Sequence, residues 1–326
     1  MPAISVVLCT HNPRKDILAR TLQALKQQTL SISRWELLIV DNASSSPLDR
    51  ELNLSWHCDA RILKEPELGA NPARQRGLRE SEADVIVLVD DDNLLSPDYL
   101  SRVLEIANRW PVLGAWGGSN VGEFEVTPPT WLIPYLSILA VRVINRPFWT
   151  SIEGDLTMLP FGAGLCVRRI VAQRYMLDVA KNPLKQVLGR RDNYDISGED
   201  PDIVLTAFDL NLGIGLFPEL SLRHYLSAAR LKPESLLRVV RGNSAGVVIL
   251  NYLRNRLDCS RFRRGRRLRE LFKVLCLPSF NRRIHLARLQ GEIAAFRALN
   301  AFISGRLSTA DEFRAAFMDN LSRCFF

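Results

Sequence analysis

Short apolar runs alternate with amphipathic stretches through the first 120 residues of the chain. The runs have the length of strands, and the stretches between them carry apolar residues at helical spacing. The pattern predicts strands at residues 4–9, 36–40, 61–64 and 85–89, and helices at residues 14–28, 70–81 and 97–108. This alternation is typical of an α/β fold in which helices flank a mostly parallel sheet.

The pattern becomes less regular after residue 112. A glycine-rich strand is predicted at residues 113–118, and the aromatic and proline-rich residues 124–149 predict a long loop or short helices. An apolar run at 161–167, a helix at 201–210 and two short strands at 213–217 and 220–224 follow. Helical spacing dominates from Pro233 onward. We therefore predict a body of residues 1–230 followed by a helical region of residues 231–326.

Charge separates nearly the same two parts of the chain. The 326 residues carry 43 Lys and Arg against 35 Asp and Glu, a net charge of +8. Residues 223–326 hold 21 of the basic and 7 of the acidic residues, so their net charge is +14, and residues 1–222 carry −6. A basic tail on an acidic body predicts that the two parts face different partners, and that the tail faces a polyanion or an anionic membrane surface.

Composition narrows the class of protein further. With 47% apolar and 24% charged residues, the chain is neither disordered nor fibrous. Its six scattered cysteines form no C-x-x-C pair, which predicts a reducing compartment and no zinc ribbon. The first apolar run lacks the charged leader of a signal peptide, and no run approaches the roughly 18 residues of a membrane span. We expect a cytoplasmic protein, soluble or peripheral on the inner face of the membrane.

Polar clusters follow three of the four predicted strands. They are Thr10-His11-Asn12, Asp41-Asn42-Ala43-Ser44 and Asp90-Asp91-Asp92. In an open α/β sheet, ligands bind outside the carboxyl ends of the strands. We therefore expect the three clusters to converge on one crevice.

The most informative cluster is Asp90-Asp91-Asp92, which directly follows the apolar run at 85–89. Three adjacent carboxylates repel one another, so a compensating cation is expected beside them. Oxygen ligands favour Mg²⁺ or Mn²⁺ over zinc, and Mg²⁺ characteristically bridges carboxylates to a substrate's phosphates. The alternative is a solvated acidic turn that only caps the following helix.

Several motifs in order resemble the family-2 glycosyltransferases of the GT-A fold. They are Ile4-Ser5-Val6-Val7-Leu8-Cys9-Thr10-His11-Asn12-Pro13, Leu37-Leu38-Ile39-Val40-Asp41-Asn42-Ala43-Ser44, Gly69-Ala70-Asn71-Pro72-Ala73-Arg74-Gln75-Arg76-Gly77, Asp90-Asp91-Asp92, Gly162-Ala163-Gly164 with Arg168-Arg169, and Gly198-Glu199-Asp200. The resemblance covers about residues 3–230. It implies a Rossmann-like, mostly parallel sheet flanked by helices, a C-terminal helical extension, and inverting, metal-dependent sugar transfer.

The resemblance also implies which residues bind the nucleotide sugar. Thr10 and Asn12 would hold the base and ribose, Asp41 would accept a hydrogen bond from either, and Arg74 would face the diphosphate. Asp90 would lie nearer the ribose, and Asp91 could substitute for either neighbouring aspartate. Three alternatives stay open at this point: Asn12 as a helix cap, Asp41 as the start of an Asx turn, and Arg74 as a surface residue.

The remaining implied roles concern the metal and the reaction. Asp92 would be the direct metal ligand, with Asp90 and His224 also in the metal set; a satisfied, half-buried histidine is the alternative. Asp200 would be the catalytic base and Glu199 would orient it or bind the acceptor. A helix N-terminal acidic pair is the alternative reading of Glu199 and Asp200.

Two arginines and two departures from the family pattern complete this comparison. Arg230 and Arg241 could close over the diphosphate, or could be structural or lipid-facing. Gln75 stands where the family commonly has Asn, and His11 where Tyr or Phe is usual. Both departures lie where the base and ribose would be bound, so the sequence does not specify the donor nucleotide.

The basic tail has its strongest charge at residues 261–269, with apolar residues at helical spacing up to residue 275. Basic clusters beside an apolar face attract anionic lipid, so residues 261–275 predict a membrane contact. Six arginines within nine residues would also attract nucleic acid, and a solvated linker or an oligomer contact is a further alternative.

The leading functional hypothesis is transfer of a sugar from a nucleoside-diphosphate sugar to a glycan or lipid-linked acceptor in polysaccharide or cell-surface glycan synthesis. A nucleotidyltransferase is a second possibility, but it would need a glycine-rich phosphate loop after the first strand, and Thr10–Pro13 contains no glycine. A nucleic-acid-binding protein is a third and is not favoured, because it leaves the acidic motifs unexplained.

Overall fold

A computed structural model describes residues 1–154, 156–191, 196–262 and 277–323 of the chain. The chain divides into two compact units. The first unit comprises Met1–Pro128, Ala140–Asp178 and Asp200–Ala228, and the second comprises Pro129–Leu139, Val179–Glu199 and Ala229–Phe326. The second unit thus combines residues from 229 onward with two earlier segments.

The first unit is built on one sheet, which has nine strands in the described part of the chain. The strands are β1 (Ile4–Thr10), β2 (Trp35–Asn42), β3 (Ala60–Glu65), β4 (Val85–Asp90), β5 (Asn93–Leu95), β6 (Leu113–Phe124), β7 (Phe148–Thr150), β8 (Cys166–Arg168) and β9 (Gly213–Leu226). Their order is β3-β2-β1-β4-β8-β6-β9-β5, and β7 pairs with β9. The predicted α/β class is confirmed.

The four strands that the sequence predicted form the parallel half of this sheet. β1 pairs in parallel with β2 on one side and with β4 on the other, and β2 pairs in parallel with β3. All eight residues of β2 are buried, as expected for a strand covered on both faces. Helices α1 (Lys15–Lys26), α2 (Ala70–Glu80) and α3 (Tyr99–Arg109) lie within two residues of the predicted limits.

The other half of the sheet is mixed and differs from the prediction. β8 pairs antiparallel with β4 and β6, and β9 pairs antiparallel with β5 and β7. The two short strands predicted at 213–217 and 220–224 are one strand, β9, which is parallel to β6. The register moves from Gly117–Leu216 to Ser119–Ser221 across a bulge, so the residues around Pro218 interrupt the pairing without ending the strand.

Among the described residues, the helices α4 (Arg169–Lys181), α5 (Pro183–Val187) and α6 (Glu199–Asp209) precede the C-terminal region. Short 3₁₀ segments occur at Ile32–Arg34, Leu48–Arg50, Leu156–Met158 and Cys259–Phe262. A longer one, Thr130–Leu139, lies in the aromatic segment where a loop or short helices were predicted.

The second unit contains the long C-terminal helices α7 (Pro233–Leu253), α8 (Ser279–Ile303) and α9 (Ala310–Ser322). Small residues let these helices approach closely: a Cβ at Gly291 would lie 2.2 Å from the Arg241 carbonyl oxygen. Thr309 and Glu312 form a reciprocal capping box at the start of α9. In the part of the chain that the structure describes, no helix combines the length and apolar character needed to cross a bilayer.

Candidate active site

The carboxyl ends of β1, β2 and β4 bring the three predicted polar clusters to one edge of the sheet. Thr10 is in register with Asp41 on one side, and Cys9 is in register with Asp90 on the other. The expected convergence is therefore observed, because parallel strands that start in register also end side by side.

The loop after β1 is tied to both neighbouring clusters. Thr10 Oγ1 donates a hydrogen bond to Asp91 Oδ2, and Asn12 Oδ1 accepts hydrogen bonds from both the backbone N and Oγ of Ser45 at 2.9 Å. Asn12 has a φ of +46°, a conformation that asparagine tolerates better than most residues. The helix-cap alternative for Asn12 is wrong, since α1 has Arg14 at its N-cap and no side-chain cap bond.

Asp41 stabilises the loop after β2. Its Oδ1 accepts from the Ser44 backbone N at 3.2 Å, and its Oδ2 accepts from the Leu48 backbone N at 3.1 Å. Asp41 is buried. Both contacts match the Asx-turn alternative, so the structure gives Asp41 a local role, and its contact with a base or ribose stays a prediction.

The acidic turn after β4 is closed by Asn93, a residue that the sequence analysis did not single out. Asn93 Oδ1 accepts from the Asp90 backbone N at 3.0 Å, and Asn93 Nδ2 donates to Asp92 Oδ1 at 2.8 Å. Asn93 is fully buried. An amide can bond a backbone donor and a carboxylate at once, and the available signal was an asparagine directly after three aspartates.

His224 lies beside Asp92, although the two residues are far apart in the sequence. β5 and β9 place Asn93 opposite His224, and the Tyr225 backbone N donates to the Asp92 carbonyl oxygen at 2.9 Å. His224 Nε2 is 3.5 Å from Asp92 Oδ2. The histidine is buried, and within the described ranges its Nδ1 has no hydrogen-bond partner. His224 is therefore buried and not half-buried, and its role toward a metal stays a prediction.

Arg74 points into the site from α2. Its side chain is only 9% exposed, and its Nη2 lies 3.4 Å from Asp90 Oδ1. The surface alternative for Arg74 is therefore wrong. Burial raises the pKa of the neighbouring Cys9 thiol to about 12, against the opposing effect of Arg74. The thiol is neutral at physiological pH and does not supply a nucleophile.

Asp200 stands at the start of α6 and is held by a glycine from another segment. Its Oδ2 accepts a hydrogen bond from the Gly162 backbone N at 2.8 Å. A Cβ on Gly162 would lie 2.7 Å from Arg74 Nη2 and 3.0 Å from Asp200 Oδ2. Gly162 thus packs closely against both the predicted base and the predicted diphosphate ligand.

Three predicted residues belong to the second unit. Glu199 is buried and its Oε2 accepts from the Gly198 backbone N at 3.2 Å. Arg230 and Arg241 fall in the segment from Ala229 onward. Their roles toward the acceptor and the diphosphate stay predictions.

The close packing at Gly162 predicts a selective loss of activity in Gly162→Ala. The added methyl group overlaps Arg74 Nη2 and crowds Asp200 Oδ2, so both side chains must move. We expect kcat to fall by about 10- to 100-fold, because misplacing a catalytic group by about 1 Å has effects of that order. Steady-state kinetics of the variant and the wild-type enzyme, with the same donor and acceptor, would measure this loss of kcat.

Gly154→Ala is the matched control for this prediction. A Cβ at Gly154 meets no atom closer than 4.0 Å, so that variant should keep wild-type kcat. Equal activity of Gly162→Ala and wild type would show that the spacing between Arg74 and Asp200 does not matter for catalysis.

The acidic turn and His224 fit a divalent cation in chemistry. A carboxylate oxygen and an imidazole nitrogen 3.5 Å apart can share Mn²⁺ or Mg²⁺. Over the described residues, however, no three His, Cys, Asp or Glu side chains already form a metal cluster. A cation here would need further oxygen ligands, which the phosphates of a nucleotide typically supply.

Comparisons with known proteins find similar sequences among glycosyltransferases. Residues 5–156 match the family model for glycosyl transferase family 2. A protein of Haemophilus influenzae described as an uncharacterized glycosyltransferase is 30% identical over 33% of this chain and 35% of its own length. An N-acetylglucosaminyltransferase of Sinorhizobium fredii is 25% identical over 78% of this chain and 56% of its own length. The chain thus spans between about a third and just over half of these relatives.

The fold has a solved counterpart. The crystal structure of residues 1–349 of S. aureus TarS superposes with a TM-score of 0.51 at 15% identity, covering 98% of this chain and 90% of that one. Together, the fold and the family match agree with the predicted GT-A fold. Residues 5–156 thus match glycosyl transferase family 2, the family that the motifs of the sequence resemble.

Proposed function

We propose that this protein transfers a sugar from a nucleoside-diphosphate sugar to an acceptor hydroxyl by direct displacement, with inversion at the anomeric carbon. The observation that carries the proposal is the position of Asp200. Its carboxylate is bound to Gly162, which also packs against Arg74, and Arg74 contacts Asp90 of the acidic turn. A base and the diphosphate ligands therefore lie close together, as a single displacement requires.

Asp200, Arg74 and Gly162 each have a separate role in the proposed reaction. The acceptor oxygen forms a bond to the anomeric carbon as the bond from that carbon to the diphosphate breaks, and the acceptor proton passes to Asp200. Arg74 binds the diphosphate as a bidentate donor. Gly162 orients Asp200 through its backbone N–H.

Asp92, Asp90 and His224 are the residues that would hold Mn²⁺ or Mg²⁺. When bound, a divalent cation neutralises charge on a departing nucleoside diphosphate. Asn93 supports this role because it fixes the Asp92 carboxylate through a 2.8 Å hydrogen bond. His224 is buried on β9, directly opposite Asn93 of β5, and this packing restricts the orientation of its ring.

The donor is proposed to be a uridine-diphosphate sugar, with N-acetylglucosamine as the first sugar to test. Support comes from the relative named as an N-acetylglucosaminyltransferase, which aligns over 267 residues. A further S. aureus TarS structure, of 16% identity and TM-score 0.50, is a complex with UDP-GlcNAc. The acceptor is proposed to be a glycan or a lipid-linked acceptor in polysaccharide or cell-surface glycan synthesis.

A donor screen tests the proposed function directly. Thermal unfolding would be followed with a panel of nucleoside-diphosphate sugars, each with Mn²⁺, with Mg²⁺ and with a chelator. A ligand at about 100 times its Kd stabilises a protein by about 2.7 kcal/mol, so the true donor should raise Tm by several degrees only when metal is present.

Two results of this screen would contradict the proposal. One is that no nucleoside-diphosphate sugar shifts Tm with either metal. The other is stabilisation by a nucleoside triphosphate together with a sugar phosphate, which would favour the nucleotidyltransferase. Nucleic-acid binding that survives Asp92→Ala would favour a function of the basic tail alone.

A further inference from the structure

The second unit displays an aromatic and apolar surface beside exposed arginines. Trp131 and Tyr135 of the 3₁₀ segment both pack against Phe280 at the start of α8, with ring centroids 4.3 and 5.8 Å apart. Tyr135 also donates a hydrogen bond from its hydroxyl to Asn281 Oδ1. We call this surface the interfacial patch and define it as Trp131, Ile133, Tyr135, Phe280, Arg282 and Arg283.

Ile133 is the apolar residue of the patch that is turned toward solvent, and the three aromatic residues are half-buried. Ile133 is 56% exposed, and Pro134 beside it is exposed as well. Leu132 and Leu139 of the same 3₁₀ segment are buried, so one side of the segment already packs inside the unit. Isolated exposed apolar residues are common in proteins. Here, however, the exposed Ile133 lies in the sequence between Trp131 and Tyr135, whose side chains combine an apolar ring with an N–H or O–H group.

Basic residues border the aromatic cluster. Arg282 and Arg283 are exposed, and the Arg283 guanidinium lies 5.8 Å from the centre of the Phe280 ring. Glu234 is the acidic side chain that faces this arginine, at 3.4 Å. The residues assigned to the second unit carry a net charge of +14, whereas those of the first carry −6. The second unit is therefore the part of the chain that an anionic surface attracts.

We infer that the interfacial patch docks the second unit onto an anionic membrane surface. Trp and Tyr are the residues that favour the level of the lipid headgroups, because their rings are apolar and their N–H or O–H groups stay hydrated. Exposed apolar side chains enter the acyl boundary, and neighbouring arginines bind lipid phosphates. A nucleic acid would bind the arginines through its phosphates, but its phosphate backbone would not make a favourable contact with the exposed apolar side chain of Ile133.

This assignment differs from the membrane contact predicted at residues 261–275. Residues 263–275 lie outside the described part of the chain, and Phe262 is buried against Phe296, with ring centroids 3.9 Å apart. The patch is defined by residues 131–135 and 280–283, and it does not depend on the proposed glycosyltransferase function.

Vesicle sedimentation of the full chain tests the patch. We expect the wild-type protein to bind vesicles of phosphatidylcholine mixed with phosphatidylglycerol, to bind pure phosphatidylcholine weakly, and to lose affinity as salt rises. Ile133→Asp should lower the partition coefficient by at least about fivefold, since it places a charge at the lipid boundary. Ile303→Asp is the matched control, because Ile303 is 53% exposed in the same unit but outside the patch.

A charge-reversal pair tests the basic border. Arg282→Glu with Arg283→Glu should abolish the preference for anionic vesicles. Arg50→Glu with Arg79→Glu changes the net charge equally at exposed positions of the first unit and should reduce binding much less. Circular dichroism and Tm would confirm that all variants are folded.

Three outcomes would overturn the inference. The wild-type chain could fail to bind anionic vesicles at low salt. Ile133→Asp could bind as tightly as Ile303→Asp. Reversal of the arginines between residues 263 and 269 could abolish binding while every patch variant keeps it, which would assign the membrane contact to the basic segment alone.

Discussion

Asp200→Asn should lower kcat for sugar transfer by about 10²- to 10⁴-fold, the range that a positioned general base contributes. Asparagine has nearly the same shape as aspartate, and its Oδ1 can still accept the hydrogen bond from the Gly162 backbone N. The substitution therefore removes basicity and leaves the packing. Donor affinity, measured by the Tm shift or by calorimetry, should stay within about threefold of wild type because Asp200 does not bind the diphosphate.

A control on the same helix separates chemistry from folding. Asp209 is exposed at the C-terminal end of α6, so Asp209→Asn makes the same chemical change away from the site and should transfer sugar at the wild-type rate. If Asp200→Asn also transfers sugar at nearly the wild-type rate, Asp200 is not the base. The hydrogen bond from Gly162 would then serve only to position the start of α6.

Asp92→Asn should remove the metal dependence of donor binding. The carboxylate faces His224 Nε2 at 3.5 Å and is oriented by Asn93. A neutral amide is a much weaker ligand for Mn²⁺ or Mg²⁺ than a carboxylate. We expect metal affinity to fall by about 100-fold or more, since even residues that only orient metal ligands contribute about 10- to 100-fold.

Titration of the donor-induced Tm shift against Mn²⁺ concentration would measure this effect without requiring turnover. Asp98→Asn is the control, because Asp98 follows the acidic turn by only a few residues but is 46% exposed and pairs with Arg102. An unchanged metal requirement in Asp92→Asn would exclude this residue as the ligand. Asp90 and Asp91 would then be the remaining acidic candidates in the turn.

Asp41 and Arg74 show that a sequence motif can identify a residue of the site without identifying its role. Both lie in motifs that resemble the family, and the residues alone left a local and a ligand-binding role open for each. Burial and hydrogen bonding distinguish them: the Asp41 carboxylate accepts two loop N–H groups, whereas Arg74 is directed at Asp90. The difference depends on which groups surround a side chain, and sequence neighbours do not define that environment.

The parallel strands were predictable because a strand covered on both faces is a short continuous apolar run. β1, β2 and β4 match that pattern, and the polar residues after them had to meet at one edge of the sheet. The bulged, mixed half was not predictable to the same degree. β9 continues past Pro218 because the residues around Pro218 bulge out of the pairing with β6. The sequence gives no local signal of this bulge, because β6 and β9 are distant from each other in the chain.

The sequence by itself determined the α/β class, the convergence of three polar clusters, and the opposite charges of the acidic body and the basic tail. Those features follow from periodicity and composition, which are properties of consecutive residues. Only the tertiary structure decided that His224 meets Asp92, that Gly162 holds Asp200 beside Arg74, and that Trp131 and Tyr135 join Phe280. Each pairing joins residues from separate segments, so strand register and helix packing, and not local preference, bring them into contact.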